Sequence, residues 1–178
     1  LHLACAALEL GADDWVWVSA ISFVASANCA RYCGAQVDFV DVDPETGNLS
    51  VTALREKLSA VQGTSRLPRV LVAVHLAGQP CDLAEIGALC RQYGVHLIED
   101  ACHALGASYQ GEPIGSCAHS DMTVFSFHPV KPITTGEGGA VTTRDAALAA
   151  KLRLYRSHGI TRDAEQLDPP SPGGWYYE

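Results

Sequence analysis

Positive charge is what this sequence has least of. Lysine and arginine number 12 against 20 aspartates and glutamates, for a net charge of −8. A general nucleic-acid binder and a basic membrane-surface protein both need a positive patch, so this balance argues against each. Long apolar runs are missing too. None approaches the roughly 20 residues of a membrane-spanning helix, and no signal-peptide pattern is visible. There is no internal repeat and no low-complexity stretch. The 7 cysteines are odd in number and sit mostly in apolar surroundings, which fits reduced, buried thiols in a cytoplasmic protein better than a disulfide framework. Cys29 and Cys33 lie on one expected helix face, but no second pair with zinc spacing follows, and no metal site is expected. An initiator methionine is also absent. Leu1 already lies inside an apolar helical pattern, and Trp175-Tyr176-Tyr177-Glu178 ends without a closing element, so a fragment is expected.

What is present is ordinary in bulk. A chain of 178 residues, 48% hydrophobic and 18% charged, can bury the core of one domain. The patterning predicts helices over Leu1 to Leu10, Phe23 to Cys33, from a cap at Ser50 or Thr52 to Ala60, from a capping box at Asp82 and Glu85 to Tyr93, and from Asp145 to Tyr155. Strands are predicted at Trp15 to Val18, Val37 to Val40, Val70 to Val74 and Val95 to Ile98, with shorter ones at Ala107 to Tyr109, Thr123 to Phe127 and Ala140 to Thr143. Strands alternating with helices of about ten residues imply a three-layer αβα fold of the α/β class, with a mainly parallel sheet covered on both faces. Ligands in such folds sit beyond the carboxyl ends of the strands, where Asp100 is delivered.

The stretch from Val124 to Val141 holds a lysine between two prolines. Pro129 and Pro132 restrict the backbone around Lys131, and Gly136, Gly138 and Gly139 permit tight turning and close approach. A solvated surface lysine gains little from such bracing, so Lys131 reads as a working residue; a proline-rich surface loop is the plainer alternative. Asp100 alone is equally consistent with a cap on the next helix. Together, an aspartate ending a buried strand and a lysine in a constrained loop are what a pyridoxal phosphate enzyme needs. The lysine amine forms a Schiff base with the cofactor aldehyde, and the aspartate keeps the pyridine nitrogen protonated so that the ring accepts electrons.

The runs E-D-A-C-H-A-L-G-A (Glu99 to Ala107), S-F-H-P-V-K (Ser126 to Lys131) and G-E-G-G (Gly136 to Gly139), in that order, resemble the nucleotide-sugar aminotransferases of the DegT/DnrJ/EryC1/StrS family. Upstream, S-A-I-S-F-V-A-S-A-N (Ser19 to Asn28), D-F-V-D-V-D (Asp38 to Asp43) and V-H-L-A-G-Q-P-C-D-L (Val74 to Leu83) are similar as well, so the resemblance covers nearly the whole chain. It implies the large domain of a fold type I aminotransferase over residues 1–160, lacking its N-terminal part, with 161–178 starting the connection to a small C-terminal domain. It places Lys131 as the tethering and proton-transfer residue and Asp100 at the pyridine nitrogen. His103 falls near the cofactor's phenolic oxygen, Phe23 stacks on its ring and Ser126 binds its phosphate. For these three, a helix-start histidine, a core aromatic and a backbone-paired hydroxyl stay open.

Lys131, where a related dehydratase branch carries histidine, favours amino transfer. H-P-V-K-P-I-T-T-G-E-G-G is most similar to members that take an amino group from L-glutamate to C4 of a UDP-linked 4-keto-6-deoxy-N-acetylhexosamine, toward pseudaminic acid. Other 3- or 4-aminotransferases of the family, of perosamine, 4-amino-arabinose or deoxysugar antibiotic type, stay open. A homodimer is implied for the intact protein. The phosphate-binding segment before Leu1 and the partner contact after Glu178 are expected to be missing, so the fragment alone is expected to bind cofactor poorly and not to turn over. Competing readings are a non-catalytic cofactor-binding regulator, a Rossmann-type oxidoreductase, which lacks its G-x-G-x-x-G turn, and a cysteine hydrolase using Cys102 and His103.

Overall fold

The computed structural model describes residues 1–163, 167 and 175–177. Its centre is a six-stranded sheet in the order β2-β1-β3-β4-β7-β8. The strands are β1 (Trp15–Ser19), β2 (Gln36–Val40), β3 (Val70–Val74), β4 (His96–Asp100), β7 (Met122–Ser126) and β8 (Gly139–Thr142). All neighbours run parallel except β7 and β8, which pair antiparallel from Thr123↔Thr142 to Ser126↔Gly139. The short β5 (Ser108–Tyr109) and β6 (Glu112–Pro113) form a separate hairpin, so the strand expected at Ala107 to Tyr109 stays out of the main sheet.

Strand alternation divides the core in two. Trp17, Leu71, Ala73 and Leu97 face α3 (Val51–Val61) and α4 (Leu83–Tyr93), packing on Leu54, Leu58, Ile86 and Leu89. Val16, Val18, Val70, Val72, Ile98 and Met122 face the other way, against α1 (His2–Ala7), α2 (Ala25–Tyr32) and α5 (Ala146–Arg156), which bring Ala4, Cys5, Ala30 and Leu152. Helices on both faces of an almost wholly parallel sheet are the expected αβα layering.

Local chemistry sets most boundaries. Ser50 Oγ accepts the Ala53 amide at 3.2 Å to start α3, and Asp145 accepts the amides of Ala147 and Leu148 at 2.7 and 3.0 Å to start α5. Gly94 ends α4 at φ 69°, in the left-handed region. The capping box expected at Asp82 does not form: its side chain makes no cap bond and instead accepts the Tyr109 hydroxyl, which ties α4 to the β5–β6 hairpin. The helix expected from Phe23 starts only at Ala25, which leaves Phe23 in the loop after β1. The segment expected to begin a domain connection, 161–178, lies largely outside the described residues.

Candidate active site

One cleft of about 1260 Å³ opens beyond the carboxyl ends of β3, β4 and β7, and Lys131, Asp100, His103, Phe23 and Ser126 all line it. They arrive from separate elements. Asp100 is the last residue of β4, His103 lies in the turn that follows, Ser126 is the last residue of β7, Phe23 sits in the β1–α2 loop, and Lys131 is in the loop joining β7 to β8.

Asp100 is only 5% exposed. Burying a carboxylate is costly unless its oxygens are hydrogen-bonded. Here Oδ2 accepts the Ser26 hydroxyl at 2.7 Å and Oδ1 accepts the Cys102 amide at 3.2 Å. Among the described residues no lysine, arginine or histidine forms an ion pair with it. A buried carboxylate without a cation, open to a cleft, is suited to a ligand that brings its own positive charge.

The Lys131 loop is shaped by a few contacts. The Lys131 amide donates to the His128 carbonyl at 2.9 Å, which turns the chain at Pro129 and Val130. Phe127 holds the loop's two ends together, donating to the Gly138 carbonyl at 2.8 Å and accepting the Thr135 amide at 3.0 Å. At Gly139 a Cβ would lie 2.6 Å from the Phe125 carbonyl oxygen, so only glycine allows this approach to β7. Lys131 itself is half-buried.

Phe23 is 75% exposed at the cleft, which removes the core-aromatic alternative. His103 is also exposed. The turn carrying it packs on Gly78 (φ 89°), where a Cβ would meet the His103 carbonyl at 2.9 Å. Ser126 lines the cleft, and its Oγ accepts the His128 amide at 3.3 Å, the one hydrogen bond it makes among the described residues. Cys102 is unsuited to nucleophilic attack. Burial, the neighbouring Asp100 charge and their hydrogen bond push its thiol up to about 12, only partly offset by the Lys131 ammonium. The cysteine-hydrolase reading falls with it.

Two groups of polar residues escaped the reading of the sequence. Ser22 and Ser26 lead from the Phe23 loop to Asp100. On the opposite face of β4, Glu99 (2% exposed) accepts His75 Nε2 at 2.9 Å, Thr123 Oγ1 at 3.1 Å and the Ser120 hydroxyl. His75 Nδ1 accepts the Cys81 amide at 3.1 Å, so the ring proton belongs on Nε2, toward Glu99. Burial pushes the Glu99 carboxyl up, but the His75, Ser120 and Thr123 donors outweigh it and hold it below the usual range. A usable signal was there: strand alternation puts Glu99 on the face opposite Asp100, inside the sheet, where a carboxylate requires partners.

This sheet, with its cleft at the strand ends and its lysine hairpin, is the fold of the large domain of a fold type I pyridoxal-phosphate-dependent aminotransferase. Residues 1–169 match the DegT/DnrJ/EryC1/StrS aminotransferase family, and the chain belongs to it. The chain is 44% identical over 160 residues to GDP-perosamine synthase of Caulobacter vibrioides, covering 90% of the chain and 41% of that protein. It is 41% identical over 162 residues to UDP-4-amino-4,6-dideoxy-N-acetyl-beta-L-altrosamine transaminase of Campylobacter jejuni, covering 91% of the chain and 41% of that protein. Among solved structures, the aminotransferase from Psychrobacter cryohalolentis superposes with a TM-score of 0.84 at 37% identity, over 97% of this chain and 42% of that one. The chain thus spans less than half the length of these relatives. Family membership sets aside the Rossmann-type oxidoreductase. No helix among the described residues is long and apolar enough to cross a membrane.

Proposed function

We propose that the protein carrying this chain is a cytoplasmic, homodimeric, pyridoxal-phosphate-dependent aminotransferase. It moves an amino group from L-glutamate to C4 of a UDP-linked 4-keto-6-deoxy-N-acetylhexosamine, toward a surface sugar of the pseudaminic acid type. The observation that carries the cofactor is the buried Asp100 carboxylate, unpaired by any cation among the described residues and lining the same cleft as Lys131. The cleft has room for the cofactor and a sugar together, and its charge pattern fits: an anion for a protonated ring nitrogen, an amine for the aldehyde carbon and a free hydroxyl at Ser126 for a phosphate oxygen.

When bound, the cofactor supplies an electron sink for the bond broken at the substrate carbon. The chain's own residues do the rest. Asp100 holds a positive ring nitrogen in place. Phe23 offers an exposed face on which the ring would stack, and His103 and Ser126 are the residues that would hold its phenolic oxygen and its phosphate. Lys131 Nζ would tether the cofactor and serve as the acid and base that carries a proton to and from the reacting carbon. Residues 1–160 act as the large domain and 161–178 lead toward the small one. Glutamate as donor and the dimer rest on the family resemblance.

The first test is borohydride reduction of the full-length protein with pyridoxal phosphate, followed by peptide mapping. A pyridoxyl adduct on Lys131 is expected; a folded protein with no adduct there would overturn the cofactor reading. The substrate is tested by glutamate-dependent amination of the UDP-linked keto-sugar against a GDP-linked 4-keto-6-deoxyhexose. The similarity to GDP-perosamine synthase favours the second substrate, and faster turnover of it would replace the first.

A further inference from the structure

We propose that Ser26 is a positioning residue that, with Ser22, locks the ring-nitrogen carboxylate Asp100 to the loop carrying Phe23. The inference rests on the cofactor reading given above. The Ser22 hydroxyl reaches Ser26 Oγ at 2.6 Å, and Ser26 Oγ reaches Asp100 Oδ2 at 2.7 Å across 74 residues of sequence. Ser26 is fully buried in the first turn of α2, Asp100 nearly so at the end of β4, and Ser22 exposed in the loop just before Phe23.

The direction of the chain of bonds follows from counting protons. An ionised Asp100 only accepts, so Ser26 must give it its single proton. Ser26 can then only accept from Ser22, whose alternative acceptor, the Phe23 carbonyl, is farther away at 3.1 Å. With Ser26 on Oδ2 and the Cys102 amide on Oδ1, each oxygen of the carboxylate is held by a donor from a different element while the residue lines the cleft. The group that meets the ring edge and the group that meets the ring face are therefore set by one continuous path of hydroxyls. Neither Ser22 nor Ser26 needs to touch the cofactor.

Ser26→Ala, Ser26→Thr and Ser22→Ala are compared with the unsubstituted full-length protein. Two quantities are read: the Kd for pyridoxal phosphate, and the pH at which the bound cofactor's visible absorption band changes. Ser26→Ala should raise Kd on the order of tenfold, the loss expected for a hydrogen bond to a charged group. It should also move the pH at which that band changes, because the anion facing the ring nitrogen is no longer held in place. Ser26→Thr keeps the hydroxyl and should restore both. Ser22→Ala, at an exposed position, should shift both in the same direction with a change in Kd of about two- to threefold, and it keeps the test open if Ser26→Ala does not fold. Unaltered Kd and pH profile in Ser26→Ala, or a raised Kd with an unmoved profile and no rescue by threonine, would overturn the proposal. Failure of the unsubstituted protein to bind the cofactor would instead overturn the reading on which it rests, and the proposal with it.

Discussion

Glu99→Ala should be among the most damaging single substitutions in the chain. The wild-type carboxylate is 2% exposed and accepts three donors, of which His75 (0% exposed) and Thr123 (0% exposed) cannot turn to water. Thr123 Oγ1 has an alternative partner in the Cys117 thiol at 3.4 Å, and the Ser120 hydroxyl is only half-buried. Among the described residues His75 has none, because its Nδ1 is committed to the Cys81 amide and its Nε2–H to Glu99. An orphaned buried donor costs about 1–3 kcal/mol, and the space vacated by the side chain adds roughly 1–2 kcal/mol. The sum, about 2–5 kcal/mol, overlaps the usual loss on breaking a buried pair. Glu99→Gln keeps the volume and one acceptor, and should cost about 1–2 kcal/mol. Urea unfolding of the full-length protein reads both; at a slope of about 2 kcal/mol/M, alanine lowers the midpoint by about 1–2.5 M while the slope stays constant.

The pH dependence adds a second check on Glu99. Its folded carboxyl is held below the usual range, so its contribution is present above the unfolded value of about 4.3 and is lost as pH falls through the lower folded value. The gap between wild type and Glu99→Gln should therefore narrow on acidification below about pH 4. A midpoint loss for alanine of under about 0.5 M, or an equal loss for alanine and glutamine, would refute the account of the network.

Lys131→Ala should abolish both the borohydride-stable adduct and turnover, while the circular dichroism spectrum stays that of the wild type. Gly139→Ala places a methyl 2.6 Å from the Phe125 carbonyl and should prise β8 from β7; loss of amide protection at Phe125 and Phe127 by hydrogen exchange would show it. The Asp121 bond pushes His96 above its usual value, and Asp121 is held below its own because the His96 ring and the Leu97 amide outweigh burial. The His96 contribution is present below an unfolded value near 6.5 and fades as pH rises through the higher folded one, while that of Asp121 is present above about 3.9 and fades on further acidification. His96→Ala should thus flatten the stability profile between about pH 4 and 7, as read by thermal melts. Cys102, with its thiol at about 12, should react with iodoacetamide at pH 8 on the order of a thousandfold more slowly than an ordinary surface thiol, as followed by mass spectrometry.

What could be read from the sequence was whatever is local. The apolar run Val70–Val74 became the fully buried β3, Gly94 became a left-handed helix end, and Ser50 and Asp145 became caps, because each depends on residues within one turn of itself. Lys131 and Asp100 were legible for a related reason, since a braced lysine and a carboxylate ending an apolar strand are both unusual in their immediate surroundings. What escaped was long-range. Asp82 reads as a helix cap until Tyr109 claims its side chain, and Ser26 reads as an ordinary residue of α2 until the fold brings Asp100 to it. The second helix was started two residues early, at Phe23 instead of Ala25, because apolar spacing continues across the boundary, while exposure, which decides the matter, has no periodic signature.

The antiparallel pairing of β7 and β8 has a consequence for how this architecture diversifies. The parallel neighbours β1 and β2, and β3 and β4, are joined by helices, so changing a connection there disturbs a packed layer. The lysine loop instead begins and ends at directly paired residues, Ser126 and Gly139, and closes through contacts within 127–138. It is a cassette. Replacing its content should leave the strand register on either side fixed, so long as Phe125 and Gly139 keep their close approach. Chimaeras cut at Ser126 and Gly139 offer a way to transplant the chemistry of one branch into the scaffold of another without rebuilding the sheet.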